Sequence, residues 1–286
     1  ISGGLVGSEM CIRASNYVSV SIRTAGHCFA YAHHVIKGEK KRKIRFEATW
    51  AIIKHPSRGT VLFDTGYTKR FHTATKYFPN SIYAMITKVE IESNQEAKMQ
   101  INPNEVNHVI LSHLHADHVG GLKDFPNATC WTSEKCLDHF QKTPKWRGFA
   151  KGLLHELFPE NWIKNCKTFE SCNSKIDEIL GKGYDLFGDH SIVLYPLPGH
   201  AAGQYGALVQ TKNKPVFLVA DAFWDMRAIT HKMGPDPIVR LFFDDWKAYH
   251  TTLDKLREFH KTHPTIPLLA THCPKTMEII HSQKIL

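Results

Sequence analysis

Residues 113–121 read His-Leu-His-Ala-Asp-His-Val-Gly-Gly and place four potential metal ligands within six residues, directly after the short apolar run 106–111. Strand ends are where a rigid sheet presents functional groups. In an extended segment side chains alternate, so His113 and His115 project to one side and can grip one ion together. Asp117 and His118 stand where the chain turns toward a helix and can face a second ion. Gly120 and Gly121 let the backbone turn tightly there. A purely structural use of this cluster would need four neighbouring polar groups each to find its own partner.

Three further sites repeat the arrangement singly. The apolar run 192–197 leads into Pro198-Gly199-His200, the run 216–220 ends at Asp221, and the run 266–270 leads into Thr271-His272. With the cluster they bring five His and two Asp. Imidazole and carboxylate donors suit zinc, and also iron or manganese. Two ions about 3.5–4 Å apart call for a shared ligand. A carboxylate can bridge and a neutral imidazole cannot, so Asp221 is the natural bridge.

The remainder of the chain fits one large domain. No internal repeat and no Pro/Gly/Ser linker divides its 286 residues, so a single domain over 1–286 is expected. Alternation marks strands at 17–24 and 44–53, with further short strands at 60–63, 106–111, 192–197, 205–210, 216–220 and 266–270. Asp244 or Asp245 can cap a helix running to about His260, with Trp246, Tyr249, Leu253 and Leu256 on one face. Gly120–Asp124 is expected to open another helix. The stretch 138–187 mixes Trp146, Phe149, Leu153, Leu154, Leu157, Phe158 and Trp162 with many lysines and reads as a mostly helical insertion. Its apolar stripe is expected to serve as core or as a subunit contact in a homodimer, with a substrate lid as the lesser reading.

Composition narrows the class further. Apolar residues make up 42% and charged residues 22%, an ordinary globular balance. No run approaches the ~18–20 apolar residues of a membrane-spanning helix, so no membrane partner is expected. The seven cysteines, Cys11, Cys28, Cys130, Cys136, Cys166, Cys172 and Cys273, are odd in number and contain no CxxC pair. Reduced thiols in a cytoplasmic setting are the expectation, rather than a disulfide framework. The chain begins at Ile1 rather than Met, which leaves room for a cleaved leader before it. The net charge of +9 admits an anionic partner, but the only dense basic run is Lys40-Lys41-Arg42-Lys43, which reads as a solvated turn between strands.

The segment HLHADHVGG resembles the HxHxDH signature of the metallo-β-lactamase superfamily, and His200, Asp221 and His272 follow in that family's order. The resemblance covers residues from about 17 to 286. It implies an α/β fold, the four-layer αββα sandwich of the metallo-β-lactamase type. It implies that His113, His115 and His200 hold one metal, that Asp117, His118 and His272 hold the second, and that Asp221 bridges them, the ions being two divalent metals, Zn2+ first among them. Phe63-Asp64-Thr65-Gly66 is similar to the family's loop in which an aspartate orients a ligand histidine, here Asp64.

The phrases HLHADHVGGL, PGHAAGQYGALV and VADAFW look most like N-acyl-homoserine lactonases. The aspartate at 221 argues against a β-lactamase proper. Two departures stand out. Trp224 occupies the position where related lactonases place a tyrosine that assists the substrate carbonyl, and Ala116 replaces an aromatic residue found in some of them. An indole can donate one hydrogen bond but cannot exchange a proton as a phenol does. The expected chemistry is hydrolysis of a lactone ester: two divalent ions make hydroxide available from water near neutral pH, Asp117 handles its proton, and Trp224 lines or supports the acyl site. The partner is then a small lactone or ester, in the quorum-quenching sense. A thioester hydrolase of the glyoxalase II type is the alternative. An RNA-processing nuclease of the same fold is the second; the scattered lysines do not favour it, and no nucleic-acid partner is expected.

Overall fold

The computed structural model describes residues 17–282 and 286; the expectations for the start at Ile1 and for Cys11 lie outside them. Alternation along the strands sorts the apolar side chains onto opposite faces of two sheets. The first has seven strands: β1 (Ser19–Tyr31), β2 (Lys43–His55), β3 (Gly59–Phe63), β4 (Val89–Glu90), β5 (Val106–Ile110), β6 (Thr129–Thr132) and β7 (Cys166–Thr168), in the spatial order β4-β1-β2-β3-β5-β6-β7. The second has six: β8 (Asn173–Asp177), β9 (Gly181–Asp185), β10 (Ile192–Pro196), β11 (Tyr205–Val209), β12 (Val216–Ala220) and β13 (Leu268–Ala270), in the order β13-β12-β11-β10-β9-β8.

Between the sheets, Val20, Ile22, Ile53, Val61 and Ile110 meet Leu194, Ala207, Val209 and Leu218. Their immediate neighbours point the other way. Ile52, Leu62, Val109 and Leu111 enter a second cluster with Ala116, Leu122 and the insertion. Val193, Tyr195, Phe217 and Val219 pack on Tyr249, Leu253, Leu256 and Phe259 of a long helix, Trp246–Thr262. Helix, sheet, sheet and helix thus stack as four layers, as the αββα expectation requires. Each large apolar side chain taken out of water contributes roughly 1.5–3 kcal/mol, so that helix is held by its buried stripe. Asp245 caps it, accepting a hydrogen bond of 2.9 Å from the Ala248 N–H.

We label the helices of at least eight residues α1 (Glu134–Lys142), α2 (the Trp246–Thr262 helix) and α3 (Pro274–His281). Among the described residues no helix is long and apolar enough to cross a membrane. The basic run at 40–43 is an exposed turn before and into β2.

Three expectations need correction. β1 runs to Tyr31, past residue 24, because a register shift between Thr24 and His27 breaks the alternation without ending the strand. The helix expected at 120–124 begins earlier. A helical turn, Ala116–Val119, starts inside the histidine cluster and is followed by a 3-10 turn, Leu122–Asp124. The α-helices of the insertion end at Asn165, and the only helical piece after them is a 3-10 turn, Phe169–Ser171. Beyond Asn165 come β7, β8 and β9, and β9 extends the second sheet by pairing with β10. The β8–β9 hairpin is closed by the Asp177 carboxylate, which accepts from the N–H groups of Ile179 and Leu180 at 2.9 and 2.8 Å. β8 lies at the sheet edge with no buried residue, so its polar sequence NSKID hides its type. The apolar stripe of the insertion is core: Leu153, Leu154, Leu157, Phe158 and Trp162 are buried against the first sheet, whereas Trp146 is exposed.

Candidate metal centre

All the expected donors arrive from strand ends at one edge of the sandwich. β3 and β5 are parallel neighbours and deliver Asp64 and residues 112–118. β12 and β13 are parallel neighbours and deliver Asp221 and His272. β10 is antiparallel to β11, which is antiparallel to β12, so β10 also ends at this edge and delivers His200. Two of these turns are strained. Asp64 has φ of 62° and Ala220 of 48°, left-handed values that are uncommon for residues other than glycine. Such strain costs about 1–3 kcal/mol each and gathers at functional sites.

Glycine is required beside two of the histidines. Gly199 has φ of +130°, and a Cβ there would lie 2.2 Å from the Tyr249 backbone, so only glycine lets the β10 loop seat His200 against α2. Gly152, from the insertion, has φ of +66°, and a Cβ there would be 2.5 Å from Cδ2 of His115. The insertion therefore backs one of the donors directly.

The donors form three overlapping groups whose ligating atoms lie within 4.8 Å of one another: His113, His115 and His200; Asp117, His118 and His272; and His113, His118 and Asp221. Asp221 stands in the middle. Its Oδ1 is 3.4 Å from His118 Nε2, and its Oδ2 is 3.3 Å from His200 Nε2 and 3.2 Å from His272 Nε2. Asp117 Oδ2 is 3.2 Å from His272 Nε2 and 3.6 Å from His118 Nε2. The Nε2 atoms of His113 and His118 and Oδ1 of Asp221 are buried and make no hydrogen bond among the described residues. Each such orphan costs about 1–3 kcal/mol. Three orphans converging on one spot fit a pair of divalent cations with nitrogen and oxygen ligands.

The outer faces of the rings are tied down. Asp64 Oδ2 accepts from His118 Nδ1 at 2.7 Å and from the Ser112 hydroxyl at 2.8 Å, and its Oδ1 accepts from the Ser112 N–H at 2.8 Å. Ser112 Oγ lies 3.0 Å from His113 Nδ1. His272 Nδ1 lies 2.7 Å from the Glu47 carbonyl oxygen, which can only accept, so the Nδ1–H donates to it. These contacts fix the tautomers, leaving Nε2 of His113, His118 and His272 facing inward. Asp64 is where the sequence places it, behind a ligand histidine.

The electrostatics divide the site. Burial pushes His115 down to about 3 and His200 to about 4, and holds His113 well below its ordinary value. Neutral imidazole is the coordinating form. Burial also opposes charge on His118 and His272, but the carboxylates overcome it, lifting His118 and raising His272 to about 9. Burial would likewise raise the two acids, yet the imidazoles hold Asp117 at about 2 and Asp221 well below the carboxylate range. The half of the site built on Asp117, Asp221 and Asp64 is thus a negative field that a cation satisfies.

A cavity of about 350 Å³ opens onto this centre. Its floor is His115, Asp117, His200, Asp221 and His272, and its walls include Cys28, Phe46, Tyr67, Tyr83, Phe149 and Trp224. Trp224 is half-buried, packs edge-on against Phe46, and donates its Nε1–H to Asp221 Oδ2 at 3.2 Å. Its single donor thus faces the central carboxylate. Sequence reasoning missed Ser112, the Glu47 carbonyl, Tyr67 and Tyr83. Ser112 carried a readable signal, a hydroxyl between the strand and His113. Tyr67 directly follows the Asp64-Thr65-Gly66 turn. Tyr83 comes from a short helix, Ser81–Ile86, with nothing in its surroundings to mark it.

A strained aspartate turn, the clustered histidines and single donors on three further strand ends define a dinuclear-type centre on an αββα sandwich. Residues 45–261 match the model of the metallo-beta-lactamase superfamily, and the chain belongs to that superfamily. The N-acyl homoserine lactonase AttM of Azorhizobium caulinodans is 31% identical over 134 residues, which are 46% of this chain and 47% of that protein. The chain spans about half the length of the curated lactonases it matches. The structure of an N-acyl homoserine lactone hydrolase with N-hexanoyl-L-homoserine at its catalytic metal centre superposes with a TM-score of 0.69 at 15% identity, covering 91% of this chain and 95% of that one. The dizinc quorum-quenching lactonase AidC superposes with a TM-score of 0.60 at 16% identity, covering 90% and 88%. At these identities the superpositions establish the fold.

Proposed function

We propose that the protein is a dinuclear-metal hydrolase that opens the ester ring of lactones, with N-acyl-homoserine lactones as its substrate class. The observation that carries this reading is the set of seven convergent donors, five of them lining the floor of a cavity with largely apolar walls. Similarity to AttM and to lactonase folds supports it. His113, His115 and His200 would hold one ion, Asp117, His118 and His272 the other, and Asp221 both, with zinc the expected metal. When bound, the ions would supply a strong nucleophile from water near neutral pH and withdraw charge from a carbonyl. Asp117 lines the floor and takes the proton of the attacking water, then returns it to the ring oxygen as the ester opens. Trp224 acts at one remove. Its ring shapes the cavity and its N–H orients the Asp221 carboxylate, so the carbonyl-supporting duty of a phenol is not its part. Phe46 stacks on the His272 ring at 3.9 Å and keeps it in place.

The test is a panel on metal-loaded protein: a hexanoyl and a dodecanoyl homoserine lactone, a glutathione thioester, a phosphotriester and a cephalosporin. Proton release with the lactones and little turnover of the cephalosporin is the expected result. Strong thioester turnover with silent lactones would move the assignment to the glyoxalase II type.

A further inference from the structure

Of the twelve large apolar side chains exposed among the described residues, eight come from three segments, 76–88, 145–151 and 237–242, with Phe78, Met85, Trp146 and Leu241 81%, 83%, 63% and 75% exposed; Tyr17, Met99, Ile176 and Met233 lie elsewhere. These same segments meet at the mouth of the active-site cavity, to whose lining they give Ile86, Phe149, Leu241 and Phe242. The mouth is therefore ringed by exposed apolar groups that no described part of the chain covers. Exposed patches of this kind mark protein or membrane contact surfaces.

Charge decides between occupants. Residues 76–88 and 145–151 contain Lys76, Lys88, Lys145, Arg147 and Lys151 and no acidic residue; the third segment adds Arg240 and is flanked by Asp236, which caps its own turn, and Asp244, which pairs with Lys135. Lys76 and Arg147 hold their cations 5.1 Å from the exposed rings of Tyr77 and Trp146, so charge and apolar surface are presented together. A two-fold contact between copies of this chain would set each basic rim against its own image. An apolar face rimmed by lysine and arginine fits a surface that is anionic outside and apolar beneath. We propose that the mouth of the cavity is a docking face for an anionic lipid surface, on which the protein sits without crossing it. Met85, Trp146 and Leu241 enter the headgroup layer, while Lys76, Lys145, Arg147 and Arg240 meet the phosphates and carboxylates there. The absence of a spanning run, from which no membrane partner is expected, has no bearing on such a seat. The consequence for substrates is that an amphipathic molecule dissolved in the lipid, acyl chain inward, has its polar end at the cavity entrance. The inference concerns binding alone and stands apart from the lactonase reading.

Co-sedimentation with vesicles tests it, using the full metal-loaded chain against pure phosphatidylcholine and against three parts phosphatidylcholine to one part phosphatidylserine. The wild type should pellet with the anionic vesicles, stay in solution with the neutral ones, and be released near 1 M salt, where screening acts within about 3 Å. Met85→Glu/Trp146→Glu and Lys145→Glu/Arg147→Glu should each lower vesicle partitioning at least ten-fold while the circular dichroism spectrum and melting temperature hold. None of these four residues lines the cavity, so turnover of a short-chain, water-soluble substrate should be unchanged. Wild type left in the supernatant with anionic vesicles, or equal binding to both kinds, overturns the proposal. A stable dimer that shows no vesicle affinity and that Met85→Glu/Trp146→Glu dissociates would overturn it in favour of a second copy. Vesicle binding without lactone turnover would keep the surface and remove the proposed activity.

Discussion

Beneath the floor of the cavity, His113 and His118 have no exposed surface, and their outer nitrogens face Ser112 and Asp64. At its mouth, Met85 and Leu241 are mostly exposed on short helical turns. The floor hangs from strand ends in two sheets, where a displaced ring would leave a buried nitrogen unsatisfied. The mouth is carried by segments that anchor through Tyr83, Phe149 and Val239 and leave Met85, Trp146 and Leu241 outside. What the contrast teaches is a division of labour: strand ends fix the chemistry, and the turns above them choose what reaches it.

The sharpest way to break that division is at the centre of the floor. Asp221→Ala should take elemental analysis from near two metal ions per chain to well below two, because Asp221 lies within 3.4 Å of imidazoles in both halves of the site. The loss in turnover should exceed the ~10–100-fold that follows removal of a residue behind a ligand. A fully active variant binding two ions would remove Asp221 from the bridge. Next in size is Asp117→Asn, which keeps the shape and the oxygen donors but not the basic carboxylate. It should lower kcat by about 10²–10⁴ with KM little changed. A kcat near wild type with both metals bound would show that Asp117 carries no proton.

Smaller effects sharpen the boundary between floor and mouth. Trp224→Phe removes the hydrogen bond to Asp221 and keeps most of the ring. The expected fall in kcat is about 2- to 10-fold, the worth of one ordinary hydrogen bond. Trp224→Tyr should not exceed wild type unless the phenol finds the carbonyl. The smallest effect is expected at Leu241→Ala. It should raise KM for long acyl chains by less than about ten-fold and leave kcat alone. A matching drop in kcat there would mean that the mouth takes part in the chemistry and that the division fails.

How much of this was legible follows from where the signals lie. The donors announce themselves because His and Asp at the ends of apolar runs have few other uses together, and all seven meet. The strands with long buried runs, β2, β3, β5 and β10–β12, were read. β4, β6 and β7 were not, because two to four residues are too short to show a period. β8 and β9 were not, because their polar and glycine-rich sequences NSKID and GKGYD hide their type, and the helical turn at 116 was not, because its four residues are themselves donors and spacers. The partner of the Trp224 N–H was beyond reach for a different reason. Position in a motif gives the place of a side chain, but the direction of its one donor depends on packing against Phe46 and His200. The walls of the cavity, Tyr67 and Tyr83, have no spacing rule at all, since they reach it from unrelated turns.

The distribution of the donors has a consequence in time. His113, His115, Asp117 and His118 hang from the first sheet, while His200, Asp221 and His272 hang from the second. Over half of the chain lies between His118 and His272. At ordinary synthesis rates of about 5–20 residues per second, roughly 8–30 s separate the appearance of these two ligands. Throughout that interval the nascent chain displays four donors in six residues with none of the geometry that the second sheet later imposes. Simple nitrogen and oxygen donors favour copper and nickel over zinc in that state. The geometry that the second sheet adds is therefore what must turn such an early preference toward the metal of the completed site.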